Sequence, residues 1–200
     1  MQTKAPFPPG LLAGRSVSSL IETYFEINQL KRLYRQGWLK RGLNPEQCES
    51  VAEHVFGMAV LAVFICDAGF PELDQARVLR MVLLHETGEV YVGDLTPADE
   101  VTAIEKQQRE REAVQRVLGK LPHGADYLAA WEEFELGGSP EAQLVRQLDR
   151  LEMGLQASVY DLEGGLPAEE FYASAERAVT DARLSALLSE VTALRRARGV

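Results

Sequence analysis

Histidine and cysteine are scarce in this chain: 3 of the first and 2 of the second among 200 residues. Cys48 and Cys66 form no C-x-x-C pair, which excludes a metal finger and fits free thiols in a reducing compartment. An excess of basic residues is also missing. Lys and Arg number 21 against 30 Asp and Glu, for a formal net charge of −9. That balance argues against general affinity for a nucleic-acid polymer, while leaving room for a local basic cluster that serves a small phosphorylated substrate. No uninterrupted apolar run approaches the ~20 residues that span a bilayer. The stretch "MQTKAPFPPGLLAGRS" lacks the apolar segment of a signal peptide. A cytoplasmic protein with no membrane partner is the expectation. Strand alternation of useful length, internal repeats and dividing linkers are absent as well. Hydrophobic residues make up 46% and charged residues 26%, enough for a real core in one unit. The expected division is a loose arm over residues 1–15, rich in Pro and Gly, followed by a single domain over 16–200.

What the chain does have is period-3.6 patterning, which predicts an all-α bundle. "SVSSLIETYFEINQLKRLYRQ" puts Leu20, Tyr24, Ile27 and Leu30 on one face of a first helix, and "GWLKRGLNPEQCES" breaks it. Ser50 and Glu53 fit an S-x-x-E capping box that opens a second helix ending near Gly69. Pro71 and Asp74 open a third, running through His85 to about Val90. Thr96-Pro97 reads as an N-cap with a first-turn proline for the helix carrying "EKQQREREAVQRVL". Further helices cover "ADYLAAWEEFELG", the segment from Ser139-Pro140 to about Tyr160, roughly Pro167 to Ala178, and Asp181 to Arg196. The core is expected from the helices around residues 52–65, 78–90 and 142–158.

Polar residues interrupt three of these core-type segments. "LLHETGEVYVGDLTP" places His85, Glu86, Glu89 and Asp94 directly after a greasy run. Positions three and four apart on a helix share a face, so His85, Glu86 and Glu89 line one edge. His54 interrupts the apolar face of the second helix, and Asp149 sits inside "AQLVRQLDRLEMGLQ". Each has a plain structural explanation: a hydrogen-bonded core histidine, Asp149 paired with Arg146 or Arg150, Glu86 and Glu89 beside Arg77 or Arg80. Two of only 3 histidines in such settings, on separate helices, favour a shared site. Buried charge of this kind is otherwise costly. His123, in "KLPHGAD", carries no role.

The order His54, then the His85-Glu86 doublet, then Asp149 resembles the H…HD…D metal set of the HD-domain phosphohydrolases. The stretches "GWLKRGL", "ESVAEH", "LLHETGEVYVGDLTP", "REREA", "AWEEFE" and "QLDRLEMGLQASVY" resemble, in order from about residue 28 to 195, the small 5'-deoxynucleotidase type of that family. The departure is Glu86 where the family has aspartate: the same carboxylate on a stem one methylene longer.

The resemblance implies an HD-domain helical bundle that removes phosphate from nucleoside 5'-monophosphates, deoxy forms foremost. It assigns His54, His85, Glu86 and Asp149 to one divalent transition metal ion. Two imidazoles and two carboxylates suit Mn, Co, Fe, Ni or Zn better than Mg. It makes Glu89 the general acid for the leaving 5'-oxygen and Asp94 a second catalytic carboxylate. "KRLYRQGWLKR" holds five basic residues in eleven. Through the resemblance its Trp38 and Arg41, with Arg35 in reserve, are the substrate-binding candidates, Arg being suited to phosphate by its planar fork. "KQQRERE" reads as a solvated helix face. A homodimer is also implied. The rival readings are hydrolysis of another nucleotide, such as a dNTP or an alarmone, and a degenerate nucleotide-binding HD fold without turnover.

Overall fold

Helical periodicity is realised along the whole computed structural model, which describes residues 1–96 and 98–197. In chain order the helices are α1 (Ser19–Ile27), α2 (Gln36–Lys40), α3 (Val51–Gly69), α4 (Gln75–Leu84), α5 (Glu89–Val92), α6 (Ala103–Leu118), α7 (Gly124–Leu136), α8 (Pro140–Leu162), α9 (Glu169–Ala178) and α10 (Ala182–Ala197). Strand character among the described residues is limited to two isolated bridges, Thr3 to Leu33 and Tyr34 to Ser50. The fold is all-α, as the periodicity predicts.

Local chemistry sets several helix starts. Ser50 Oγ accepts from the Glu53 amide at 3.3 Å and the Glu53 carboxylate accepts from the Ser50 amide at 2.6 Å, so the capping box forms. Asp74 caps α4 by accepting from Arg77 N at 3.1 Å. Ser139 caps α8 by accepting from Ala142 N at 3.1 Å. The expected start of α6 at Thr96-Pro97 is corrected, Pro97 itself lying outside the described residues. Both "TPAD" and "TAIE" place an acid three residues after a threonine. Thr102 and Glu105 form the capping box, whereas Asp99 instead accepts from Thr96 N at 2.8 Å and is tied to Lys40.

The core lies where α3, α4 and α8 meet. Met58, Ala62, Val78, Met81, Val82, Leu148 and Leu151 are all fully buried there, and α9 and α10 cover the other flank of α8. A second cluster joins Val114, Val117, Leu118 and Trp131 of α6 and α7 to Leu30, Leu33 and Val51. By length and composition α3 could cross a membrane, which the uninterrupted-run criterion misses; here its Val51, His54, Met58, Ala62 and Cys66 are buried.

Three further expectations are corrected. The first predicted helix is divided: α1 stops at Ile27, a 3-10 turn spans Asn28–Lys31, and the chain is bridged at Leu33 and Tyr34 before α2 begins. The predicted face holds only at its end, where Leu30 is buried and Ile27 packs against the second cluster. Leu20 and Tyr24 are exposed, while Thr23 and Glu26 are buried because they find partners across the fold: Thr23 donates to the Val117 carbonyl, and Glu26 accepts from Tyr91 and Lys120. Finally, the N-terminal residues do not hang loose. Gln2 and Gln36 exchange hydrogen bonds at 2.8 and 2.9 Å, Lys4 N donates to the Arg32 carbonyl, and Phe7 meets Tyr91 edge to face. These contacts fasten the arm against the segment that carries Arg35.

Leu148 is fully buried at the centre of this packing. Leu148→Ala is expected to lower unfolding free energy by about 2–5 kcal/mol through lost burial and a residual cavity, measured by urea denaturation.

Candidate functional site

The end of α4 builds the site. At His85 the chain tightens into a 3-10 turn, His85–Gly88, before α5. Glu86 lies within that turn and Glu89 directly after it, at the start of α5. The turn is held on two sides. Trp131 Nε1 donates to the His85 carbonyl at 3.0 Å. At Gly88 a Cβ would stand 2.6 Å from Glu110 Cβ, so glycine lets α6 lie directly on the turn.

Two imidazoles are aimed at one point. His85 Nδ1 lies 2.8 Å from the Val82 carbonyl, and His54 Nδ1 lies 2.5 Å from Glu152 Oε2. A carbonyl and a carboxylate are acceptors, so each Nδ1 is the donor, and a ring in its neutral form presents its Nε2 lone pair inward. Both Nε2 atoms are buried and without a hydrogen-bond partner. Asp149 Oδ1 is 3.3 Å from His54 Nε2, while Glu86 Oε1 is 3.4 Å from His85 Nε2 and 3.8 Å from His54 Nε2. Donor atoms of His54, His85 and Asp149 all fall within 4.8 Å of one another. Two orphaned nitrogens facing two carboxylates, away from bulk water, fit a divalent cation of the transition series. The longer stem of Glu86 still brings its carboxylate to both rings.

The charges show the same preference for a cation. Burial and Arg35 oppose protonation of His54, yet the carboxylates of Asp149 and Glu152 facing its two nitrogens lift it to about 9, so without an ion the ring itself takes up the positive charge. Burial likewise works against ionised Glu86 and Asp149. The imidazoles, together with Arg35 for Glu86 and Arg150 for Asp149, hold both well below the usual carboxylate range.

Glu89 behaves in the opposite way. It is buried, its Oε2 has no partner, and burial followed by the charges of Glu86 and Asp94 pushes it well above the ordinary carboxyl value. Asp94 is buried and accepts from the Gln36 amide. Arg35 Nη1 is 3.1 Å from Glu86 and 3.8 Å from Asp94, a guanidinium between two carboxylates. These groups open onto a cleft of about 1350 Å³.

Of the sequence-predicted residues, His54, His85, Glu86, Asp149, Glu89, Asp94 and Arg35 come together. Trp38 lines the cleft as a packed wall: its Nε1 donates to Glu49 at 2.8 Å and its ring lies 4.1 Å from Phe171. Arg41 is at the mouth, half-exposed and paired with Glu170 of α9. Sequence reasoning passed over Glu152, Glu49, Lys106 and Glu110. Glu152 follows Asp149 by three on a core face, a readable signal. Lys106 and Glu110, expected in a solvated face, turn inward. Burial, opposed by Lys106 and assisted by Glu86, pushes Glu110 up to about 7.

Residues 27–191 match the family model described as HD domain. The chain belongs to the HD-domain family. This HD domain is 37% identical over 194 residues to the 5'-deoxynucleotidase HDDC2 of Bos taurus, covering 95% of this chain and 92% of that one. To the 5'-deoxynucleotidase HDDC2 of Homo sapiens it is 39% identical over 189 residues, covering 92% and 89%. Among solved structures, a protein titled a predicted metal-dependent phosphohydrolase, from Magnetospirillum magnetotacticum, superposes with a TM-score of 0.69 at 28% identity, covering 97% of each chain.

In the metal-free HD domain, Arg35→Met would leave Glu86 and Asp94 buried without their shared cation. Such a break is expected to cost about 3–5 kcal/mol in urea denaturation; a loss under ~0.5 kcal/mol, the range of ordinary surface substitutions, would show that the carboxylates find another partner.

Proposed function

We propose that this HD-domain chain is a metal-dependent phosphohydrolase that removes phosphate from nucleoside 5'-monophosphates, with deoxynucleotides as the preferred class. The observation that carries the reading is a buried Glu89, its Oε2 without a partner, beside a converging set of imidazoles and carboxylates. Names of the bovine and human relatives supply the substrate class. His54, His85, Glu86 and Asp149 are the residues that would hold one divalent ion of the Mn, Co, Fe, Ni or Zn kind. Such an ion, when bound, supplies Lewis-acid charge for phosphate and makes water a better nucleophile at neutral pH.

The protein's own groups account for the remaining chemistry. Cleavage of the phosphomonoester bond needs a proton for the departing 5'-oxygen. Glu89 keeps one because burial and the neighbouring Glu86 and Asp94 disfavour its anion. Asp94, fixed by the Gln36 amide, is the second carboxylate and bears on the sugar or the attacking water. Arg35 remains charged, its cation favoured by Asp94, Glu86 and Glu89 against the cost of burial, and faces the region where phosphate charge collects. Trp38 walls the nucleoside side, and Arg41 can meet the substrate only by leaving Glu170. The same reading carries a cytoplasmic homodimer with no nucleic-acid polymer or membrane as partner; two buried, unpaired cysteines agree with a reducing compartment.

Phosphate release from a panel of deoxy- and ribonucleoside monophosphates tests the reading. Chelation should abolish turnover, and Mn or Co should restore it better than Mg. Pyrophosphate or triphosphate from a triphosphate substrate, with no free phosphate from monophosphates, would replace this substrate class with another nucleotide. No turnover with any ion would support the degenerate alternative.

Glu89→Gln should lower kcat by about 100-fold or more, the usual worth of a positioned acid, without loss of bound metal. The acid is present below its raised pKa and lost above it. The wild-type rate should therefore fall on the alkaline side, and that limb should disappear in the variant; a full-rate Glu89→Gln enzyme would remove Glu89 from the reaction.

A further inference from the structure

Asp149 and Glu152 stand three residues apart on one face of α8 and reach opposite nitrogens of the same ring. Asp149 Oδ1 is 3.3 Å from His54 Nε2, and Glu152 Oε2 is 2.5 Å from His54 Nδ1. His54 is fully buried and the Glu152 side chain nearly so. The ring is thus clamped between two carboxylates, one on the cleft side and one behind it. Space for the rear carboxylate comes from α3 itself. Gly57, three residues after His54, lacks the Cβ that would stand 2.7 Å from Glu152 Oε1. A side chain there would press first on the far end of Glu152, whose Oε1, Cδ and Cγ are the three atoms nearest to that Cβ, at 2.7, 3.4 and 3.5 Å.

We propose that Glu152, admitted by Gly57, is the positioning residue that makes His54 a metal ligand. This inference rests on the metal-site reading above. By accepting the Nδ1 proton, Glu152 fixes the tautomer in which Nε2 carries a lone pair toward Asp149, Glu86 and His85. It also restrains the ring's rotation and raises the basicity of the coordinating nitrogen. Behind it, the Glu49 carboxylate accepts from Trp38 Nε1 at 2.8 Å, and the Glu49 amide donates to the Tyr160 hydroxyl at 3.0 Å.

The test is Co2+ titration of the full chain, read by calorimetry and by the visible spectrum of the bound ion, for wild type and for Glu152→Ala, Glu152→Gln and Gly57→Ala. Thermal unfolding of each metal-free protein is measured alongside. Wild type should bind one ion. Glu152→Ala should bind it about 10- to 100-fold more weakly, the usual worth of an outer carboxylate to a ligating histidine. Glu152→Gln keeps an acceptor oxygen without the charge and should fall between the two. Gly57→Ala leaves Glu152 in the chain but moves its carboxylate, and should weaken Co2+ binding and alter the spectrum. If Glu152→Ala does not fold, Gly57→Ala and Glu152→Gln decide. Equal affinity and an unchanged spectrum in the folded variants, against a wild type that binds one ion, would overturn the inference even if their unfolding temperatures drop. A wild type that binds no ion would overturn the metal-site reading instead.

Discussion

Negative charge buried where α3, α8 and the turn after α4 converge is the constraint on which the rest depends. Glu86, Asp149 and Glu152 surround His54 within 4 Å, and all three side chains are largely buried. Such a group of anions is tolerated only with positive charge among them. Arg35 supplies part of it from the bridged segment before α2, and the imidazoles supply more when protonated. The arm paired to that segment, the Trp131 bond to the turn and the close approach of α6 at Gly88 all serve to keep these opposed charges in register.

The same crowding separates two kinds of carboxyl in one cleft. Glu86 and Asp149 face imidazoles and remain anions, whereas Glu89, three residues from Glu86, faces other carboxylates from a buried position and holds its proton. Nothing in the side chains themselves makes this distinction. The 3-10 turn makes it, by setting Glu86 toward the rings and Glu89 toward Asp94. Opposite protonation of neighbouring acids is what general acid chemistry beside a cation site requires.

Features governed by neighbours in sequence were legible; those governed by distant partners were not. Ser50, Asp74 and Ser139 announce their helices because a cap needs only the next three residues. The core of α3, α4 and α8 follows from periodicity alone. The buried face of α1 does not, because Thr23 and Glu26 are satisfied by Val117, Tyr91 and Lys120 far along the chain. Proline and glycine made the arm read as loose, since composition carries no information on the backbone bonds to Arg32 and Gln36. In the site, His54, His85, Glu86 and Asp149 stood out as polar breaks in apolar text. Glu152, between Leu151 and Met153 and three residues after Asp149, offered the same signal, but its partner His54 lies 98 residues away in sequence. Arg41 was read as free to bind, but the facing Glu170 lies 129 residues away.

Along α8 the sequence Leu148-Asp149-Arg150-Leu151-Glu152 interleaves two inventories. Leu148 and Leu151 are centre-of-core residues, and Asp149 and Glu152 are the clamp on His54. A single turn of helix therefore belongs to the hydrophobic interior and to the charged centre at once, and neither can shift without the other. On the proposed reading, free energy gained by coordinating an ion is gained by the fold. The quantity of intact protein in a cell would then follow the supply of its metal, because chains that lack it open more often and are cleared sooner by proteases.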